Sequence, residues 1–243
     1  MENVVIPLVK SKWGNEILYS VRSWFKNFEG DFQLNIVGNY KPKWINGNIN
    51  FKYIDQDDSN TTEENLSLIR EWCINEFDEF IWTNDDIYLL NPINSSDIRK
   101  PLYLQDLSAV KSRLNNRWGR LLWKTADKLL DNGKTIYNGE CHTPYYYNSE
   151  NVRSIFRKYG IHNGSGLLRT AYINEFYDIS ELTKMQQHKK GFYSKGDKHM
   201  LTKLESMSYL NHDDDGLSDE LKKFLETEFS VLSKYENHIF PNP

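Results

Sequence analysis

The sequence predicts an α/β domain, with a mainly parallel central sheet flanked by helices and a helical C-terminal part. Three observations carry this. Short apolar runs such as Val4-Val-Ile6 and Phe80-Ile-Trp82 suit strands buried on both faces. Amphipathic helical stretches lie between such runs. The elements of the first third follow the order β-α-β-β-α-β, the alternation expected of parallel strands with crossover helices. At 243 residues the chain can bury a full core. No internal repeat, low-complexity segment or evident linker divides it, so residues 1–243 read as a single domain.

Asn3 to Val9 reads as the first buried strand, ending in the loop Lys10-Ser-Lys-Trp-Gly14. Residues 15 to 28 place Ile17, Ser20, Val21, Trp24, Phe25 and Phe28 on one helical face. Asp31 to Gly38 is a second strand, and Ile49 to Ile54 alternates as a third. Thr61-Thr-Glu-Glu64 is a capping-box pattern that opens a helix carrying Leu66, Ile69, Cys73 and Phe77 inward. The strand Phe80–Trp82 follows. Past Pro92 the pattern loosens, with Pro101 to Gln105 a candidate strand. Residues 117 to 131 read as a helix stopped by Asn132-Gly133. Asn138 to Pro144 is loop-like, Glu150 to Tyr159 helical, and Leu217 to Phe229 helical with Leu221, Phe224 and Leu225 aligned.

A net charge of −4 argues against a generally basic nucleic-acid protein, while leaving room for a local basic channel. No apolar run approaches the roughly 18 residues of a membrane span. The opening Met1-Glu-Asn-Val-Val-Ile-Pro7 lacks a basic start and a long apolar core, so no secretory leader is expected. Cys73 and Cys141 have no metal-type spacing and are expected as free thiols in a reducing cytoplasm.

The chemistry centres on Asn84-Asp85-Asp86, directly after the strand Phe80–Trp82. Open α/β sheets bind ligands outside the carboxyl ends of their strands. Adjacent carboxylates repel and resist desolvation, which suits Mg²⁺ or Mn²⁺ shared with phosphate oxygens. A solvated Asn-Asp-Asp turn accounts for the tripeptide equally well. His142, before Thr143-Pro144, is a candidate base or metal ligand against the alternative of a surface histidine. Arg169 follows the flexible Asn163-Gly-Ser-Gly166 and suits phosphate or an ordinary ion pair. The densest basic stretch, His188 to His199, interleaves glycines and aromatics in a way that suits a diphosphate or a nucleic-acid backbone. His212-Asp-Asp-Asp-Gly216 lacks calcium-loop spacing and reads as a solvated linker before a helix.

In order along the chain, these pieces resemble the Stealth family of sugar-phosphate transferases. Asn15-Glu-Ile-Leu-Tyr-Ser-Val-Arg-Ser23 is similar to that family's Asn-Asp-Glu-Leu-Arg-Tyr-Ser-Leu-Arg-Ser stretch, and Ile36-Val37 with Pro42-Lys-Trp44 to its Ile-Val-Thr and Pro-x-Trp. Phe80-Ile-Trp-Thr-Asn-Asp-Asp86 resembles its Phe-x-Tyr-x-Asn-Asp-Asp. His142-x-Pro144, Arg169, Gly196-Asp197 and the run Lys223 to Glu236 fall in the family's order, although the family has Asn-Asp where Gly196-Asp197 stands.

The resemblance implies a glycosyltransferase-A-like fold and a metal-dependent transfer of a sugar, or of a sugar 1-phosphate, from a nucleotide-diphosphate sugar, such as a UDP-sugar. Residues 1–105 would form the nucleotide-sugar half and 106–243 the acceptor-side and helical half. Asp85 and Asp86 would hold Mg²⁺ or Mn²⁺, with Asp197 a further ligand, and Asn84 would orient the sugar or the second carboxylate. The loop Lys10, Lys12 and Asn15, with Arg22 behind it, would receive the nucleotide. His142 would act as base toward the acceptor hydroxyl, and Arg169, Lys195 and Lys198 would contact phosphate. The acceptor is a saccharide in the family. The compact Asn-, Lys- and Tyr-rich chain also resembles bacteriophage products, for which hydroxymethylcytosine in DNA is the alternative acceptor. The stretch Lys184 to His199, with Lys111, Arg113, Arg117 and Arg120, would then line a basic groove. A cytoplasmic site of action is expected, in a bacterial or an infected cell. Two other classes stay open, a non-catalytic sugar- or nucleic-acid-binding module and a metal-activated phosphate-ester hydrolase.

Overall fold

A computed structural model describes residues 1–8, 15–57, 59–185, 190–193, 204, 206–213, 216–230 and 236. Strand β1 (Glu2–Leu8) is the centre of the architecture, because Val4, Val5, Ile6 and Leu8 bury apolar side chains on both sides of the pleat. It pairs in parallel with β2 (Phe32–Gly38) along its whole length. β3 (Asn50–Tyr53) lies outside β2, also parallel. On the other side of β1 runs β4 (Glu79–Trp82), parallel, and β6 (Tyr145–Asn148) closes that edge antiparallel to β4. Among the described residues the central sheet therefore reads β6-β4-β1-β2-β3.

The two faces of this sheet are covered differently. Val4, Ile6, Leu34, Ile36 and Ile81 point to one side and pack with Ile17, Val21 and Trp24 of α1 (Glu16–Asn27). Val5, Val37, Phe80 and Trp82 point to the other. There they meet α2 (Thr62–Glu76), α3 (Arg117–Asp131), α4 (Ser149–Tyr159) and α5 (Leu168–Phe176). The capping box of α2 forms as the sequence predicts, with Thr61 accepting from the Glu64 amide and Glu64 accepting from the Thr61 amide. Cys73 and Cys141 are buried thiols that form no disulfide among the described residues.

From β1 the chain moves through α1 to β2 and β3, then returns through α2 to β4 on the opposite side of β1. The carboxyl ends of β1 and β4 thus border a crevice where the two crossovers part, the place at which open α/β sheets take ligands. The β1–β4 ladder closes with the Thr83 amide donating to Val5 O at 3.0 Å. Pro7, which has no amide to give, lies beyond that last bond, which is why a central strand tolerates it. Gly38 is required opposite Leu8, since a Cβ there would stand 2.5 Å from Leu8 O.

After the acidic tripeptide, β5 (Ile87–Leu89) leaves the central sheet. It pairs antiparallel with β8 (Tyr209–His212), which pairs in parallel with β7 (Lys190–Tyr193). The buried polar residues of α1 explain how β5 is held. Ser20 donates to Ile87 O at 2.8 Å, Ser23 Oγ accepts from the Leu89 amide at 3.0 Å, and Asn27 donates to Leu89 O at 2.5 Å. A last helix, α6 (Asp219–Glu228), is capped by Ser218 and packs Leu221 and Leu225 with Leu18, Tyr19 and Tyr88.

Several expectations change in detail. Pro101–Gln105 is divided between two short pairings, Leu102–Tyr103 with Thr183–Lys184 and Gln105–Asp106 with Tyr137–Asn138. His212 is not part of a solvated linker: it ends β8, is 3% exposed, and holds Nε2 3.0 Å from the Tyr88 hydroxyl. β6 escapes the pattern because three consecutive tyrosines show no apolar–polar alternation. α5 escapes because it is buried almost all round, including Arg169, Thr170 and Asn174. No helix among the described residues is long and apolar enough to cross a membrane.

Candidate active site

At the end of β4 the chain makes a tight turn. The Ile87 amide donates to Asn84 O at 3.3 Å, which places Asp85 and Asp86 at the two central positions. The turn is anchored on both sides, through β4 to the central sheet and through β5 to α1. Asn84 Oδ1 accepts from the Trp82 indole at 3.2 Å, so the amide side chain is held in one orientation with its NH₂ directed elsewhere.

Asp85 and Asp86 are half-buried and do not stand alone. Glu16, in the first turn of α1 and 4% exposed, adds a third carboxylate. Burial, then the charges of Asp86 and Glu16, push the Asp85 carboxyl well above the usual range, despite hydrogen bonds from the backbone. Burial and the same acids raise the neighbouring phenols, Tyr40 through Asp85 and Glu16, and Tyr88 through Asp86, Glu16 and Asp85. Such crowding is what a cation relieves. Among the described residues no group of three or more His, Cys, Asp or Glu is arranged to hold a metal. A hard divalent ion that completes its shell with phosphate oxygens and water needs only one or two carboxylates, so Asp85 and Asp86 fit one.

On the α2 side of Asn84 lies a pocket of about 130 Å³, bordered by Arg70, Trp82, Glu140, His142, Tyr145 and Arg169, among others. Asn84, His142 and Arg169, far apart in sequence, are brought together here. The loop that carries His142 is tightly braced. Gly139 approaches α5 so closely that a Cβ would lie 2.9 Å from Arg169 O. Arg169 donates to Thr143 O at 3.0 Å and to Thr143 Oγ1 at 2.9 Å, and its guanidinium lies 4.3 Å from the centre of the Tyr145 ring. Between these anchors His142 adopts φ +46°, the left-handed region that non-glycine residues seldom occupy. Strain of this kind persists only where surrounding contacts impose it.

Glu140, not singled out from the sequence, is the carboxylate of this pocket. One oxygen accepts from the Thr170 amide and hydroxyl, both at 3.0 Å. Burial raises its carboxyl, and the Arg169 charge offsets this only in part. Its signal was present, an ionisable residue two positions before His142 in the same loop. Glu16 likewise follows the loop after the first strand, at the helix start that an α/β crevice uses. Arg70, over the Trp82 ring at 5.0 Å and 3.7 Å from Glu63, had no sequence signal. Among the described residues, three buried polar atoms at this pocket find no protein partner, Arg70 Nε, Arg169 Nε and the Tyr145 hydroxyl. Buried polar groups are ordinarily satisfied, so such a concentration marks a place for a polar ligand.

Asn15 caps α1 at the mouth of the crevice, with its carbonyl accepting from Leu18 and its side chain making no cap bond. Arg22 points away from the crevice. It donates to both carboxylate oxygens of Glu236, at 2.9 and 2.7 Å, and to Phe229 O at 2.9 Å, so it ties α1 to the C-terminal segment. Lys10, Lys12, Lys195, Asp197 and Lys198 lie outside the described residues.

The central sheet, its helices and the crevice define a glycosyltransferase-A-type fold. The galactosyltransferase LgtC, in complex with donor and acceptor sugar analogues, is similar with a TM-score of 0.50 and 8% identity over 96% of this chain and 98% of that one. An active-site mutant of LgtC gives the same values. The bifunctional glycosyltransferase WbbM matches at TM-score 0.50 and 10% identity over 86% of this chain and 45% of WbbM. The sequence matches no protein-family model and no curated protein.

Proposed function

We propose that this protein is a glycosyltransferase that moves a sugar from a nucleotide-diphosphate sugar to an acceptor hydroxyl. The observation that carries the reading is the juxtaposition, at the crevice between β1 and β4, of the crowded Asp85–Asp86 turn with a pocket of unpartnered polar atoms. The N-terminus of α1 faces the same crevice and favours an anionic diphosphate. Mg²⁺ or Mn²⁺ held by Asp85 and Asp86 would neutralise charge on the departing diphosphate. Asn84, fixed by Trp82, donates its amide to the sugar. Arg70, Tyr145 and Arg169 present donors to sugar or phosphate oxygens. Arg169 also positions His142 through Thr143. His142 is set to take the proton of the acceptor hydroxyl, and the Glu140 carboxylate stands by to orient the sugar or share that proton.

The Stealth resemblance suggests transfer of a sugar 1-phosphate as a variant of this chemistry. The nucleotide released tells the two apart. Purified protein with Mn²⁺ and a panel of sugar nucleotides, offered saccharides or hydroxymethylcytosine DNA, is expected to release a nucleoside diphosphate and yield a heavier acceptor. Nucleoside monophosphate with a heavier acceptor would indicate sugar-phosphate transfer. Release with no acceptor gain would indicate a hydrolase, and binding without release a binding module. Asp86→Ala is expected to abolish turnover and leave the thermal midpoint close to that of the parent. Turnover retained in that variant would sink the metal assignment.

A further inference from the structure

We infer that the groove along α3 is a track for an anionic saccharide chain, a reading that rests on the transferase proposal and names the class of its acceptor. Arg117, Arg120, Lys124 and Lys128 recur at helical spacing and share one face of α3. They span about 16 Å at 1.5 Å per residue. The chain as a whole carries a net charge of −4, so this stripe opposes the sign of the molecule.

Among the described residues the stripe finds neutral acceptors rather than acids, with Arg120 donating to Asn115 O and Lys128 to Tyr159 O, each at 2.5 Å. Arg113 is matched by Asp127 in a two-point pair at 2.7 and 2.6 Å. Arg117, Arg120 and Lys124 form no ion pair among the described residues. The bond from the Thr61 amide is the largest cause of the lowered Glu64 carboxyl, and the Arg117 charge is a lesser one. Like charges at these spacings weaken a helix, and Arg117 and Arg120 sit in the first turn, where the helix dipole disfavours cations. α2 and α6 open in the ordinary way, with Glu63 and Glu64 and with Asp219 and Glu220. Residues that break local rules without local compensation point to function.

The groove also leads somewhere. A hollow of about 650 Å³ beside Arg120, Lys124 and Lys128, with Asp127 (held by Arg113) and Asp131 also on its rim, shares Arg120 and Lys124 with one of about 330 Å³ that adds Arg117 and Asn163. On two helices this second hollow lies one residue away from the pocket of His142, since Glu64 and Arg117 border the hollow while their chain neighbours Glu63 and Trp118 border the pocket. Gly164 keeps the wall between them close, since a Cβ there would stand 2.7 Å from the backbone of Glu63 and Glu64.

A saccharide fits better than a nucleic acid. Binding of single strands relies on exposed aromatic faces for stacking. Among the described residues the one aromatic lining the groove, Trp123, is 7% exposed and covered by the Arg113 guanidinium at 4.6 Å. Asn115, Asn163 and Ser165 instead alternate with the cations and suit hydroxyl groups.

The test is a titration of the full chain with oligogalacturonate, neutral dextran of equal length and oligo-dT, at low and at physiological salt. Oligogalacturonate is expected to bind most tightly and to weaken with salt, and Arg120→Glu/Lys124→Glu to weaken it at least about tenfold with a thermal midpoint at or above that of the parent. Should the double variant fail to fold, Lys124→Gln alone is expected to weaken binding in the same direction. Equal binding of dextran, tighter binding of oligo-dT, or folded variants that bind oligogalacturonate as the parent does would each overturn the inference. UDP-glucose binding by the parent separates the two readings. A parent that binds UDP-glucose but no oligogalacturonate overturns the track alone, and one that binds the acidic chain but no sugar nucleotide overturns the transferase reading beneath it.

Discussion

Glu140 receives two hydrogen bonds from Thr170 and lies within the field of Arg169, yet burial still holds its carboxyl above the ordinary carboxylate range. Such a group binds more protons in the folded than in the unfolded chain, so its contribution to stability falls as pH rises through the folded value. Glu140→Gln removes the buried charge and keeps an oxygen for Thr170. Its thermal midpoint is expected to exceed that of the parent near neutral pH, and the gain to shrink toward the ordinary glutamate value of about 4.5. Transfer activity is expected to fall at the same time, the trade of stability for function typical of an active-site carboxylate. Melting curves across pH check the first part, and a midpoint difference that does not vary with pH would refute it. Asp85 illustrates the same physics with like charges added, since Asp86 and Glu16 compound its desolvation.

Among the elements, α1 has three tasks on three sides. Its apolar side packs on the sheet, its Ser20, Ser23 and Asn27 hold β5 behind the acidic turn, and Arg22 fastens the C-terminal segment. The Arg22–Glu236 pair is buried on both sides. Arg22→Ala leaves the Glu236 carboxylate buried without its guanidinium, and is expected to destabilise the fold by about 3–5 kcal/mol in urea unfolding. Replacing both by methionine is expected to recover most of that loss, because a buried pair is often no better than apolar packing of like volume. A single variant as stable as the parent would show that the pair contributes little to the fold. The His142 loop is the second element of consequence, held by Gly139 and Arg169 against α5 in a conformation its own sequence does not favour.

At the scale of the whole molecule, the crevice lies between halves of the sheet that the chain visits at different times, so a ligand there bridges α1, β4 and the Glu140 loop. Binding to the folded state alone stabilises it by mass action, about 2.7 kcal/mol at a ligand concentration of 100 times the dissociation constant. UDP-sugar with Mn²⁺ is expected to raise the thermal midpoint more than either alone, and Asp86→Ala to remove the added increment. Additive shifts in the parent would argue that nucleotide and cation occupy separate places. The same scale sets the charge pattern, since acids gather at the crevice while cations line α3.

The strands and the acidic turn were legible along the chain. Apolar residues on both faces of Val4–Leu8 and Phe80–Trp82 suit buried strands, and Asn84-Asp85-Asp86 follows directly on the second. These are local properties, legible from side-chain periodicity. The all-buried α5, the tyrosine strand β6 and the pairing of His212 with Tyr88 were not legible, because burial on every side erases periodicity. Nor were the partners of Arg22 and Arg169, since a guanidinium binds whichever acceptor packing delivers. That Glu140, His142 and Arg169 meet Asn84 is a matter of packing, because the meeting depends on β6 adding to the edge of β4 and on α5 packing beneath the loop. Contacts of long sequence separation are set by how layers stack, and no local pattern encodes them.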